Sequence, residues 1–179
     1  MNDNELISQL INPETRRHAF GVLVKQYSEK LYWQIRRIVL DHDDANDVMQ
    51  NTFLKAWNNI DSFRNDSKLF TWLMRIAINE SLDFVRKKSK LISIDITENI
   101  TVAAKLLADK YFDGDEIQAQ LQQAINTLPD VQRAVFNMRY YDEMKYSEMS
   151  RILNTSEGAL KASYHIAVKK ICDYFNNHD

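Results

Sequence analysis

The sequence predicts an all-α protein of two small helical domains joined by a flexible linker. Three observations carry this. Only three glycines and two prolines occur in 179 residues, too few for the many turns of a sandwich or barrel. Apolar residues recur at helical spacing through most of the chain. That periodicity lapses once, over residues 91–114, which divides the chain into domains at 1–90 and 115–179.

The first half reads as a run of helices. Asn12-Pro13-Glu14 is a helix start, with a capping amide, proline at the first helical position and an acid in the first turn. Phe20, Leu23, Val24, Tyr27, Leu31, Ile35, Ile38 and Val39 then follow at helical spacing, as one long helix or as two with a break near Ser28. The acidic turn Asp41–Asp44 caps the next helix, whose stripe is Ala45, Val48, Met49, Phe53, Ala56, Trp57 and Ile60. A loop, Asp61–Ser67, leads into a helix from about Lys68 to Lys88. Its inner face holds Leu69, Trp72, Leu73, Ile76, Ala77 and Leu82 or Phe84. Arg86, Lys87, Lys88 and Lys90 suit its C-terminal end. Leu91–Ile96 alternates like a short strand without a partner. The linker that contains it is apolar enough for part of it to dock.

The second half starts near Asp115. Ile117, Leu121, Ala124, Ile125 and Leu128 form one stripe; Val131, Ala134, Val135 and Met138 form the next after Pro129. Two further helices, about Ser147–Leu153 and Glu157–Phe175, enclose a tight turn. Here Ser150 is the small residue of a first helix. Asn154, four positions on, tolerates the left-handed region, and Leu160 is the buried aliphatic of a second helix. This is the pattern of a DNA-reading helix-turn-helix, and also of an ordinary helical hairpin with a solvated face. As a reader, the second helix would offer Lys161 and Lys169 to phosphates and Ser163 and His165 to base edges, with Glu157 and Ala162 on the same face.

Composition narrows the function. The net charge is −2, but residues 64–90 hold seven Lys and Arg against three Asp and Glu. These cations are interleaved with Phe63, Phe70, Trp72 and Phe84, a composition suited to unstacked nucleic acid, although Trp72 also falls on the apolar stripe. No phosphate-binding glycine loop can be written with these glycines. His42-Asp43 has no companion ligands at metal spacing. Cys172, the one cysteine, falls on the inner face of the last helix as an inert thiol. It leaves no intramolecular disulfide and no cysteine zinc site, and fits a reducing cytoplasm. No signal-peptide pattern or membrane-length apolar run appears. No enzyme chemistry, metal or cofactor is expected.

Asp44-Ala-Asn-Asp-Val-Met-Gln-Asn-Thr-Phe-Leu-Lys-Ala-Trp57 resembles the "D-A-E-D-V-x-Q-E-T-F-L-K-A-W" of the extracytoplasmic-function sigma factors of bacterial RNA polymerase. Phe63-Arg64, Phe70-Thr-Trp-Leu-Met-Arg-Ile-Ala-Ile-Asn79 and Asp83-x-x-Arg86-Lys87 are similar to the family's next motif. Leu128-Pro129, Arg133-Ala-Val-Phe136, Tyr146–Ser150 and Glu157–Lys161 extend the likeness through the second half.

The resemblance implies two domains, region 2 and region 4, that bind core polymerase and direct promoter-specific initiation. It implies that Asp47, Gln50, Asn51 and Leu54 dock on the β′ clamp. Arg64, Lys68, Arg75, Asn79, Arg86, Lys87 and Lys88 would open and read the −10 element, with a flipped base captured near the 61–67 loop. Lys161, Ala162, Ser163, His165 and Lys169 would read the −35 element. The implied partners are core RNA polymerase (β′ clamp and β flap), promoter DNA and an anti-sigma factor, membrane-bound in some cases. The free protein would be a cytoplasmic monomer. Two departures stand out. Asn51 replaces the family's glutamate, and Ser163, Ile166 and Val168 stand where three arginines are common, which predicts weak autonomous DNA affinity. A stand-alone helix-turn-helix regulator would instead need a dimer and a palindromic site, and a helical adaptor would need no DNA at all.

Overall fold

The computed structural model describes residues 2–63, 67–92, 102–109 and 114–177. Among them there are helices and no strands. Helix α1 (Asp3–Ile11) lies ahead of the first predicted element. Leu6, Ile7, Leu10 and Ile11 recur along it at helical spacing, and the first three are buried in the core. Asn12 then starts α2 (Pro13–Val39) as expected, its side chain accepting from the Glu14 amide at 3.1 Å. Helix α2 is unbroken through Ser28, whose hydroxyl bonds back to the Val24 carbonyl. It ends at Leu40, a leucine in the left-handed region at φ 70° whose N–H returns to Arg36. Asp41 caps α3 (His42–Asn59) by accepting from the amides of Asp43 and Asp44. Chiefly the Asp44 N–H holds the Asp41 carboxyl below its ordinary value.

A 3₁₀ turn, Ile60–Ser62, leads to α4 (Leu69–Ile92). Helix α4 outruns the predicted end at Lys88 and takes in Leu91 and Ile92, the first residues of the strand-like stretch; the rest of that stretch lies outside the described residues. Part of the linker does dock. Helix α5 (Val102–Ala108) buries Leu106, the Ala103 N–H donates to Gln123, and Asp109 pairs with the buried Arg36.

Helices α6 (Glu116–Asn126), α7 (Asp130–Tyr140), α8 (Tyr146–Leu153) and α9 (Glu157–Asn176) complete the chain. Four expected core positions face outward. Trp57, on the expected stripe of α3, is 38% exposed, its ring edge-on to that of Phe20. Ile117 is 71% exposed because Ala119, Gln122 and Ile125 form the face of α6 that packs. Val131, in the first turn of α7, is half exposed. Cys172 is exposed rather than buried: Ala167 and Ile171 carry the inner face of α9, and Cys172 sits about 100° round from Ile171.

The halves are in contact. One apolar core runs from Leu6 through α2, α3 and α4 into Ala134, Val135, Met138, Met149 and Leu160. A second, smaller core joins α6, α7 and α9. Helix α7 packs on α2, and both α7 and α8 pack on α4. Polar groups reinforce the junction. Arg133, buried on α7, donates to the Ile38 carbonyl of α2 at 3.3 Å as well as to Asn126 and Leu128 in its own half. Gln122 and Asn137 both donate to the Arg37 carbonyl.

Candidate nucleic-acid interface

Three surfaces collect the candidate residues. The first is the outer side of α3. Ala45, Val48, Thr52 and Ala56 face the core, which turns Asp47, Gln50, Asn51 and Leu54 to solvent. Leu54 is 56% exposed, an aliphatic among polar neighbours on a regular helix. Such a mixed face fits a partner helix better than it fits water.

The second surface is a groove of about 540 Å³ between the end of α3, the 3₁₀ turn and α4. Asn79 and Arg86 line it, with Trp72 from the preceding turns of α4. Lys55, Asn59 and Ser62 form the opposite wall. No single motif in the sequence marks these three, because they straddle a helix end and a turn. Their signal was the i, i+4 spacing of Lys55 and Asn59 ahead of the loop. Two carboxylates also line the groove, each with a cation beside it: Lys55 pairs with Glu80, and Arg86 lies 3.5 Å from Asp83. Trp72 is half-buried, its ring 5.3 Å from that of Phe63; it serves both the core and the groove. The amides of Asn59 and Asn79 suit base edges, and Lys55 and Arg86 suit phosphates.

The other cations of this set lie apart from the groove. Arg75 and Lys87 are exposed on α4 without lining it. Lys88 pairs with Asp44 of α3, and its ammonium lies 5.8 Å from the Phe84 ring centre. Lys68 faces Glu148 of α8 at 3.5 Å. Arg64 is outside the described residues. His42 accepts or donates through both ring nitrogens, to Tyr32 and Asn46.

The third surface is built by α8 and α9. Asn154 takes the left-handed conformation, φ 50° and ψ 47°, and its N–H closes α8 on the Ser150 carbonyl. Ser156 caps α9, accepting from the Ala159 amide at 3.3 Å. Met149, Ile152 and Leu160 bury the inner angle. Lys161, Ala162, His165 and Lys169 point outward, Ser163 is half-buried, and Ile166 joins them at 45% exposure. Tyr164 stacks on Phe136 with ring centres 5.7 Å apart, and burial pushes its phenol up, so it stays neutral. An exposed cationic helix with one apolar side chain can enter a major groove, with Ile166 suited to a thymine methyl.

Comparison with known proteins matches residues 23–91 to sigma-70 region 2 and residues 118–171 to sigma-70 region 4. The ECF RNA polymerase sigma factor SigW of Bacillus subtilis is 35% identical over 156 residues, covering 82% of this chain and 83% of that protein. The ECF RNA polymerase sigma-E factor of Escherichia coli is 29% identical over 153 residues, 80% of each. Among solved structures, CnrH in complex with the cytosolic domain of CnrY shares the fold over 99% of both chains, with a TM-score of 0.73 at 23% identity.

Proposed function

The chain belongs to the ECF sigma factors of bacterial RNA polymerase, which direct promoter-specific transcription initiation, and on that premise we propose how its surfaces divide the work. Residues 1–90 act as region 2, 91–114 as linker and 115–179 as region 4. The outer face of α3, Asp47, Gln50, Asn51 and Leu54, docks on the β′ clamp. The groove (Asn79 and Arg86) and the exposed cations Arg75, Lys87 and Lys88 of α4, with Lys68 just before it and Arg64, take the −10 strand, joined by Lys55, Asn59 and Ser62. Lys161, Ala162, Ser163, His165 and Lys169 on α9 read the −35 element, and the β flap holds region 4.

The observation that carries this reading is the pairing, on one chain, of a half-open aromatic-and-amide groove with a separate helix-turn-helix. One suits unstacked bases and the other suits duplex. Melting draws on capture of unstacked bases, so the protein acts as a non-enzymatic factor. The stand-alone regulator falls away, because it leaves the region 2 match without a role. Core polymerase supplies what the modest cation count of α9 withholds: it holds two weak readers at fixed spacing, so specificity comes from effective concentration. The solved complex of CnrH with CnrY, and that of RpoE with the anti-sigma factor NepR from Bartonella quintana, support an anti-sigma partner for this chain, which would act on it in the cytoplasm. Among the described residues no helix is long and apolar enough to cross a membrane.

Run-off transcription with purified core polymerase on host genomic fragments tests the reading. New discrete start sites that depend on this protein, and that vanish with Lys161→Glu or Asn79→Ala, are expected. Start sites that survive both substitutions would refute the assigned surfaces.

A further inference from the structure

We propose that Arg16, which precedes the part of the chain matched to region 2, is a positioning residue for promoter melting. Its guanidinium ties the end of α1 to Asp61 and thereby fixes the 3₁₀ turn that forms one wall of the −10 groove. The inference rests on the assignment of that groove to the −10 strand.

Arg16 uses its whole donor fork. Nε donates to the Leu10 carbonyl at 2.9 Å and Nη2 to the Ile11 carbonyl at 3.2 Å, which satisfies acceptors left open at the end of α1. Nη2 and Nη1 also reach the two carboxylate oxygens of Asp61, at 2.6 and 3.2 Å. This is a bidentate grip, the geometry in which an arginine adds direction as well as attraction.

Both ends of the tie are fixed. Helix α1 is anchored by the buried Leu6 and Leu10, and at its start Asp3 accepts from the Tyr27 hydroxyl at 2.6 Å. Thr15 adds a further bond to α1, from its hydroxyl to the Gln9 carbonyl at 2.8 Å. Asp61 itself is 72% exposed and does not line the groove. Its neighbours do the work there. Ile60 is buried, the Ser62 hydroxyl donates to the Asn59 carbonyl at 2.7 Å, and the Phe63 N–H closes on Ile60. Asn59 and Ser62 are groove wall, and Phe63 lies against Trp72, which is groove wall too.

A carboxylate at this place attracts no phosphate. Its use is to give Arg16 a handle on the turn. A pocket that captures an unstacked base depends on walls held to a fraction of an ångström. Arg16 and Asp61 supply that from outside the pocket.

The test is permanganate reactivity of −10 thymines in complexes of core polymerase with Asp61→Ala, Arg16→Gln, the double variant and Asn79→Ala, at a start site found by run-off transcription. Asp61→Ala leaves the α1 bonds of Arg16 intact, so thermal midpoint and affinity for core polymerase should match wild type. Reactivity should fall about threefold, the scale of a partly exposed charge-assisted pair. Arg16→Gln should fall at least as far, and the double variant no further than the worse single. Wild-type melting by Asp61→Ala, losses that multiply in the double variant, or lost affinity for core polymerase in Asp61→Ala would each overturn the proposal. Asn79→Ala separates the two ideas. Lost melting there with normal melting in Asp61→Ala removes only the positioning role; normal melting in Asn79→Ala removes the groove assignment itself.

Discussion

Reversing one charge at the domain junction should open the free protein. Region 2 and region 4 touch here, yet the −10 and −35 elements they read lie roughly 80 Å apart along B-form duplex. The closed arrangement cannot serve both elements at once, so it must part when the protein works. Arg37, near the end of α2, holds it shut in two ways. Its Nη1 is 3.2 Å from Asp142, and its guanidinium lies 4.2 Å from the Tyr141 ring centre. Arg37→Glu removes both and sets two carboxylates together. The lost cation–π contact is worth about 1 kcal/mol and the lost partly buried ion pair about 1 kcal/mol. The new repulsion adds about 1 kcal/mol, toward the aqueous end of the range. The sum, about 3 kcal/mol, shifts the closed-to-open ratio on the order of a hundredfold. Burial already pushes the Asp142 carboxyl above its ordinary value, so a second acid beside it is poorly tolerated. The exposed Cys172 on α9 is the chain's one cysteine. With Asn58→Cys at the exposed end of α3 it gives a dye pair across the junction. Transfer efficiency should drop in Arg37→Glu and recover in Arg37→Glu with Asp142→Arg. Unchanged efficiency in the single variant, or no recovery in the swap, would refute the reasoning.

Three further outcomes are expected. Leu54→Glu should weaken binding to core polymerase at least tenfold, as loss of a central apolar anchor does, with the thermal midpoint unchanged because Leu54 is largely exposed; pull-down titration checks this. Asp41→Ala should cost about 1 kcal/mol through the lost cap of α3, read by denaturant unfolding. The Asp41 carboxyl sits below its ordinary value when folded, so its contribution is present above that value and disappears as pH falls through the folded one; the gap between wild type and variant should close in acid. Asn154→Ala should destabilise by about 1 kcal/mol, because alanine pays the left-handed penalty that asparagine offsets, whereas Asn154→Gly should be near neutral by the same melt.

The elements that could be read in the sequence were those whose cause is local. Asn12-Pro13, the Asp41 cap and the αL turn at Asn154 depend on residues within one helical turn, and each stands where local chemistry puts it. Helix α1 had a local signal as well: Asn2 caps it and Leu6, Ile7, Leu10 and Ile11 recur at helical spacing, but the stripe is only two turns long. Trp57, Ile117, Val131 and Cys172 failed because helical periodicity names a face, whereas which turns of that face meet a neighbour is decided by packing. In the candidate site, Asn79 and Arg86 line one groove because both lie on one face of α4. Lys55, Asn59 and Ser62 join them only because the 3₁₀ turn folds the end of α3 back along α4.

The junction between the domains carries a signature of its own. Arg133 Nε and Asn137 Oδ1 on α7 are buried without a hydrogen-bond partner, and so are both amide atoms of Gln34, one turn before Arg37 and Ile38 on α2. A permanent core tends to eliminate such atoms, since each costs about 1–3 kcal/mol. Arg133 and Asn137 lie where α7 meets the end of α2. Their unpartnered atoms sit alongside donors, Gln122, Asn137 and Arg133, that reach across to the last carbonyls of α2. Burial draws the Arg133 guanidinium below its ordinary pKa, with only Asp130 to oppose the shift. Water could satisfy every one of these groups if the halves separated. The apolar part of the junction therefore closes the protein while its polar part limits how tightly, which is the balance a two-domain initiation factor needs if polymerase is to pull its readers apart.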